Sequence, residues 1–211
     1  MRFNDHSNLE GMHAFLGASK YHWINYSDEK LVESFTNMLA AARGTEIHEL
    51  AQRLVKHGIT LPLYQTDEDG NIIFDELGNP IPNNTTLALY VRDAIKYKMY
   101  PEQILYFPEN CFGTADAISF NRGMLRIHDL KTGVVVKAHM EQLMVYAALF
   151  CLEYKKDPNK IKMELRIYQN NEVVYYIPEG HEIREIMEKI KHFDKIISDI
   201  RQKGTSDVSV L

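Results

Sequence analysis

Residues 113–133 read GTADAISFNRGMLRIHDLKTG, and residues 138–150 read AHMEQLMVYAALF. The first stretch predicts a β-hairpin: Thr114–Phe120 and Met124–Leu130 are rich in β-forming residues, and Asn121-Arg122-Gly123 supplies a short turn. The second predicts a helix over Ala138–Tyr154. In a hairpin centred on Arg122, Asp116 falls close to His128 and Asp129, where side chains of paired strands lie about 5 Å apart. Residues i and i+2 of a strand share a face, so Asp129 and Lys131 point into one pocket. Gln142 and Tyr146, four apart on the helix, also share a face.

The acid-x-lysine pattern occurs three times: Asp28-x-Lys30, Glu153-x-Lys155 and Asp129-x-Lys131. Asp28 opens a predicted helix and Glu153 closes one. Only Asp129-Leu130-Lys131 lies in a predicted strand. Asp116 and Asp129 repel each other at hairpin distance unless a cation lies near them. A hard cation such as Mg²⁺ or Mn²⁺ resolves the repulsion, since it takes carboxylate, carbonyl and water oxygens, and the Leu130 carbonyl is a further ligand within reach.

Upstream, Ser19 is available as a helix cap within residues 12–25, where Tyr21, His22, Trp23 and Tyr26 read as core aromatics before base-stacking ones. Ser27-Asp28-Glu29 opens a helix with apolar residues at Leu31, Val32, Phe35, Met38 and Leu39. The helical pattern continues to Gly58, with Gly44 marking a break or a close backbone approach, and His48 on the face of Gly44. Residues 59–86 have the turn chemistry of an exposed loop and hairpin. Asp67, Asp69, Gly70, Ile72 and Glu76 match positions of a calcium-binding EF-hand loop, but Gln65 stands at its first position. Pro62, Pro80 and Pro82 also deny it flanking helices, so a hairpin is expected instead.

Further elements are a helix over Leu87–Lys98, a strand over Glu102–Phe107, strands over Ile161–Tyr168 and Val173–Ile177, and a last helix over Glu182–Gln202. That helix carries an apolar stripe of Ile183, Ile186, Met187, Ile190, Ile197 and Ile200. No repeat is expected. The order of elements predicts an α/β fold, a mixed β-sheet core with helices packed on it.

The chain has 211 residues, 45% of them hydrophobic, which suits one domain with a full core. No apolar run reaches the length of a membrane span, and the N-terminus lacks the pattern of a secretory signal. Cys111 and Cys151 form no CxxC pair, which argues against a zinc or iron–sulfur site and fits a reducing cytoplasm. The net charge is −5, yet residues 122–166 carry nine Lys/Arg against five Asp/Glu. The region of the predicted site is therefore locally basic.

Four segments, Arg43-Gly44-Thr45-Glu46-Ile47-His48, Gly113-Thr114-Ala115-Asp116, Asp129-Leu130-Lys131-Thr132-Gly133 and Gln142-x-x-x-Tyr146, resemble in order and spacing the motifs of the PD-(D/E)XK nuclease superfamily. The branch is that of RecB-like and phage-encoded exonucleases. Residues 13–19 also resemble its entry helix. The resemblance implies a restriction-endonuclease-like mixed sheet flanked by helices in a single domain, 1–203, with an insertion at 59–86 and a flexible tail at 204–211. It further implies metal ligation by His48, Asp116 and Asp129 with the Leu130 carbonyl. Lys131 would act on the attacking water and the phosphate, and Gln142 and Tyr146 would position Lys131 and the DNA backbone. Glu46 and Glu49 flank His48 and stay outside the expected set.

The resemblance thus implies a Mg²⁺- or Mn²⁺-dependent deoxyribonuclease. The reading is a phage-encoded exonuclease of recombination, replication or repair, working in the host cytoplasm. Relatives with a four-cysteine iron–sulfur cluster differ, because Asn25-Tyr26 stand where a cysteine is often found. DNA is the expected partner, through its backbone and without base preference. A homo-oligomer and a recombination or replication protein are further candidates, and no membrane is expected. The rival readings are a catalytically silent nuclease-fold protein that binds DNA or protein, and a calcium-binding interaction protein built on residues 65–76.

Overall fold

The hairpin forms around Arg122. Strands β2 (Cys111–Asn121) and β3 (Met124–Leu130) pair antiparallel, closing at Asn121↔Met124. Arg122 and Gly123 alone make the turn, with φ of 49° and 76°. Two consecutive positive φ values define the type I′ turn that matches strand twist, and glycine takes the second at no steric cost. The computed structural model describes residues 14–107, 110–132 and 139–208, with His139 and residues 203–208 as backbone alone.

Strand β1 (Tyr100–Phe107) pairs antiparallel with β2 on its far side. Strand β4 (Lys162–Gln169) runs parallel to β3, and β5 (Glu172–Tyr176) antiparallel to β4. The five-stranded mixed sheet therefore has the order β1-β2-β3-β4-β5. Parallel neighbours need a long crossover, and the connection from β3 to β4 contains helix α3 (His139–Glu153). The fold is α/β, as the order of elements predicts.

Two apolar clusters sandwich the sheet. Leu143, Ala147, Leu149 and Phe150 of α3 pack with Leu125, Ile127 and Leu165 of the strands and with Ile183 of helix α4 (Gly180–Val208). The other cluster joins Ala51 and Val55 of helix α1 (Asp28–His57) to Tyr90, Val91 and Ala94 of helix α2 (Thr86–Lys96), with Ala117, Leu130 and Tyr168 beneath them. Thr85 caps α2 by accepting the N–H of Ala88 at 3.4 Å.

The alternation of β2 changes phase in mid-strand. Ala117 packs in the α1/α2 cluster and Ala115 in the α3 cluster, although residues two apart in a regular strand share a face. The change falls at Asp116. Directly across, between the pairs Pro101↔Ala117 and Gln103↔Ala115, Glu102 has a φ of 51°, far from strand values.

Residues 63–83 form an exposed arm with an octapeptide repeat not anticipated in the sequence: Asp67-Glu68-Asp69-Gly70-Asn71 and Asp75-Glu76-Leu77-Gly78-Asn79. In each turn an aspartate Oδ1 accepts two main-chain N–H groups, from Asp69 and Asn71 in one case and from Leu77 and Asn79 in the other. The main chains of Gln65, Ile73 and Ile81 close a ring of three hydrogen bonds at 2.9 Å each, Ile73 donating to Gln65, Ile81 to Ile73, and Gln65 to Ile81. Asp67, which matches a calcium-loop position, has its oxygens engaged within its own turn.

Helix α1 is unbroken through Gly44, where a break was one of two expectations. The other, close approach, describes the position: a Cβ there would stand 2.9 Å from Thr132 Oγ1. The last helix reaches Val208, through residues expected as a tail, and residues 209–211 lie outside those described. Of its stripe, Ile183, Ile186, Met187 and Ile190 pack into the core, whereas Ile197 and Ile200 are exposed.

The chain divides into two units between Arg43 and Gly44. In the first, residues 14–17 form a turn rather than the expected entry helix, of which His13 is outside the described residues, and Ala18–Asn25 is a 3-10 helix. Trp23 Nε1 donates to Gly17 O at 3.1 Å, and Phe15 meets Phe35 edge-on at 5.1 Å. Tyr21 and Tyr26 are exposed, not core, as are Val32, Met38 and Leu39 of the expected apolar face. No helix among the described residues is long and apolar enough to cross a membrane.

Candidate functional site

The register of three strands places three carboxylates in a row. Glu102 lies across from Asp116, and continuing the pair Ala117↔His128 by one residue sets Asp116 across from Asp129. Leu130 donates its main-chain N–H to Asp116 Oδ2 at 2.8 Å, which fixes that carboxylate over β3. Helix α1 adds His48, whose Nδ1 stands 3.4 Å from the same oxygen.

His48, Glu102 and Asp116 offer one donor atom each, and the three atoms lie within 4.8 Å of one another. One imidazole nitrogen and two carboxylate oxygens, half-buried, suit a divalent cation that keeps water on its remaining positions. Burial, reinforced by the nearby Asp129, pushes the Asp116 carboxyl up to about 6. Burial also raises that of Glu102, with His48 opposing. Both carboxyls resist ionisation chiefly because they are buried, and Asp116 also because Asp129 is near; a cation between them would offset that cost.

Asp129 lies outside that three-atom group. Asp129 is buried, and Lys131 Nζ stands 3.0 Å from each of its carboxylate oxygens. Leu130 contributes its N–H to Asp116. Lys131 Nζ also donates to Gln142 Oε1 at 3.1 Å, and Gln142 Nε2 donates to Tyr146 OH at 3.0 Å. The carboxylate, ammonium, amide and phenol thus form one chain of hydrogen bonds with a fixed polarity. Its amide is set by its neighbours: the ammonium can only donate to Gln142, so the amide nitrogen is left facing Tyr146.

Two backbone features hold this chain. The Lys131 N–H donates to Tyr168 O at 2.9 Å, which continues the parallel pairing past the last residue of β3. At Gly113 a Cβ would stand 2.9 Å from Tyr146 Cε1, so the ring lies directly on the β2 backbone. Beside Lys131, an open cleft of about 390 Å³ runs past Ile47, Thr132, Thr86 and Asn170. Glu46 and Glu49 are exposed, and Glu49 faces Arg53 at 3.5 Å.

Sequence reasoning missed Glu102. The sequence carries no local signal for it: Glu102 is the third residue of β1, and its place across from Asp116 comes from a non-local pairing.

A second polar network lies on the α2 side of β3 and β4. Arg166 pairs with Asp93 at 2.6 Å and with Glu164 at 3.0 Å, and Glu164 also pairs with Arg126 at 3.3 Å. The Arg126 guanidinium stacks over the Tyr97 ring at 4.3 Å. Tyr168 OH donates to Asp93 Oδ2 at 2.8 Å and lies 3.2 Å from Nδ1 of the fully buried His128. Burial, then the charges of Arg166 and Arg126, push His128 down to about 3, so it is neutral at physiological pH.

The fold and site define an α/β protein with a compact acid–histidine–lysine centre. The chain belongs to the family described as "Protein of unknown function (DUF2800)", whose model matches residues 13–171. No curated protein matches. A solved structure titled "Crystal structure of SSO0001" is similar at 15% identity and a TM-score of 0.28, over 51% of this chain and 57% of that one.

Proposed function

We propose that this protein is a Mg²⁺- or Mn²⁺-dependent nuclease of the PD-(D/E)XK type that hydrolyses DNA phosphodiester bonds. The observation that carries the reading is the row Glu102, Asp116, Asp129 across β1, β2 and β3, with His48 over its middle and Lys131 at its end. A purely structural cluster has no need to gather three carboxylates and then assign the lysine to only one of them.

His48, Glu102 and Asp116 would hold the cation, and Asp129 and the Leu130 carbonyl are the further ligands that the resemblance implies. When bound there, the ion lowers the pKa of a water and offsets phosphate charge. The chain's own groups do the rest. Asp129 and Gln142 fix the Lys131 ammonium, which orients the attacking water and stabilises charge growing on the phosphate. Tyr146 accepts from Gln142, so its own O–H remains to donate to a phosphate oxygen. Burial raises the Tyr146 pKa, which keeps that proton in place. The cleft beside Lys131 receives the strand to be cut.

The enzyme acts on DNA in recombination, replication or repair, as a phage-encoded exonuclease in the host cytoplasm, alone or as a homo-oligomer. The test is digestion of end-labelled linear duplex, linear single strand and closed circular DNA by wild type and Lys131→Ala, with Mg²⁺, Mn²⁺ or EDTA. Metal-dependent cutting by wild type alone, with circles spared, is the expected result. DNA binding without cutting by either protein overturns the catalytic reading in favour of a silent binding protein of the same fold.

A further inference from the structure

We propose that a basic cleft at the other end of β3 is a second nucleic-acid contact, which grips the sugar–phosphate backbone about 20 Å from the cutting centre; the inference rests on the nuclease reading. The cleft, about 510 Å³ and open to solvent, is lined by Asn121, Arg122, Met124, Arg126, Lys160 and Lys162. It is a local concentration of positive charge on a chain whose net charge is −5.

The acids nearby are already matched. Glu164 is shared by Arg126 and Arg166, at 3.3 and 3.0 Å. Asp157 pairs with Arg184 at 2.7 Å and only loosely with Lys160, at 4.0 Å. Among the described residues no carboxylate pairs with Arg122 or Lys162, and both side chains are exposed. Uncompensated cations in a concave surface concentrate field and draw a polyanion.

The backbone that carries the cations is also fixed. Arg122 sits in the two-residue turn, and the Lys162 N–H donates to Gly123 O at 2.8 Å, tying that turn to β4. The pair Met124↔Lys162 sets Lys162 across from Met124, about 5 Å away in the sheet, with Arg122 two residues further along in the turn. A turn held this way presents charge without the ordering cost of a loose loop.

Position favours DNA over an acidic protein. The cleft lies at the first rung of the β3–β4 pairing, Met124↔Lys162, and the Lys131 centre just past the last, Leu130↔Tyr168. Six rungs at about 3.3 Å give the separation of about 20 Å. The straight line runs inside the sheet, which helices cover on both faces, so a strand passing over the surface needs more than the roughly six nucleotides that this length alone would take at about 3.4 Å each. An oligonucleotide held at the cutting centre therefore reaches the cleft only when it is longer than that.

The test compares wild type with Arg122→Glu/Lys162→Glu and with the milder Arg122→Ala/Lys162→Ala, each checked for folding by circular dichroism. Binding of labelled DNA of 4, 8, 12 and 16 nucleotides is read by fluorescence anisotropy in EDTA over a salt series, so that it does not depend on cutting. Cleavage of the same oligonucleotides is then measured with Mn²⁺. Wild-type affinity should rise between 8 and 16 nucleotides. The charge-reversed variant should lose that rise, bind the 16-mer at least about tenfold more weakly, and show a log–log salt slope smaller by about 2. It should still cut the 4-mer at the wild-type rate.

Wild-type affinity and slope in the variants overturn the proposal. So does capture of poly-glutamate, but not DNA, by the wild-type cleft, which would mark a protein-binding surface. Length-dependent, charge-dependent DNA binding without any cutting keeps the cleft and rejects the nuclease reading.

Discussion

Lys131 Nζ stands 3.0 Å from both carboxylate oxygens of Asp129 and 3.1 Å from Gln142 Oε1. The ammonium is thus held from two sides, by a strand neighbour two residues away and by a helix that follows the strand. Lys131→Met keeps the aliphatic stem and removes the charge. Cleavage should fall by a factor of about 10³ or more, the scale on which losing one positioned charge-stabilising donor acts. Mn²⁺ binding, read by calorimetry, should persist. The variant also leaves Asp129 buried without its cation, so its Tm should drop.

Glu102→Gln tests the ligand that the register supplies. The amide keeps the shape and one oxygen but loses the charge, and divalent affinity follows ligand charge. Mn²⁺ affinity should weaken by about tenfold or more in calorimetric titration, with the salt dependence of DNA binding unchanged. Unchanged Mn²⁺ affinity would remove Glu102 from the site.

Gly113→Ala places a methyl 2.9 Å from Tyr146 Cε1, against the ring rather than a flexible end. The ring has to move, and Gln142 then loses the acceptor that sets its amide. The expected outcome is a cleavage rate reduced at least as much as in Tyr146→Phe, with little change in metal affinity. Adding Tyr146→Phe to Gly113→Ala should cost little more, since both act through one contact.

The half-buried Asp116 and the buried His128, on neighbouring strands, titrate in opposite senses. Asp116 is raised from 3.8 to about 6, so between those values the folded state holds a proton that the unfolded chain has lost, and stability falls as pH rises. His128 is lowered from 6.5 to about 3, so there the unfolded chain takes the proton, and stability falls as pH drops. Asp116→Asn should therefore raise the Tm in EDTA at pH 7 and leave it little changed at pH 3.5. His128→Gln should flatten the acid limb below pH 6.5. In wild type, Mn²⁺ affinity should decline as pH falls through about 6, because protons compete for Asp116.

Arg166→Met removes the partner of both Asp93 and Glu164, and Tyr168 alone cannot balance the Asp93 charge. Loss of one member of a partly buried ion pair costs about 3–5 kcal/mol. Urea denaturation should show an unfolding free energy lower by that order, whereas the exposed Lys191→Met, whose salt bridge lies on the surface of α4, should change it hardly at all.

The parts of the site that were legible in the sequence are those fixed by local rules. Period-2 patterning and the Arg122-Gly123 turn set the register of β2 on β3, and hence Asp116 beside Asp129. Helical spacing put Gln142 and Tyr146 together. Glu102 was not legible, because its place depends on a non-local pairing and on a phase change in β2 that no local pattern encodes. Helix α1 ran on through Gly44 because one glycine in a long helix costs only about 1 kcal/mol, which packing around Gly44 offsets. The repeat at 67–79 was missed because it was read as one hairpin with a calcium-like spacing, whereas its aspartates bond to their own turns.

The ring also fixes the length of the arm. Gln65, Ile73 and Ile81 sit eight residues apart and each donates to another of the three, so the circle closes only with three members. Gaining or losing one octapeptide would leave a main-chain donor and an acceptor facing no partner, even though each turn satisfies its own aspartate. A stretch that looks like freely copied tandem units is thus, in its geometry, a single threefold knot whose copy number is set by closure.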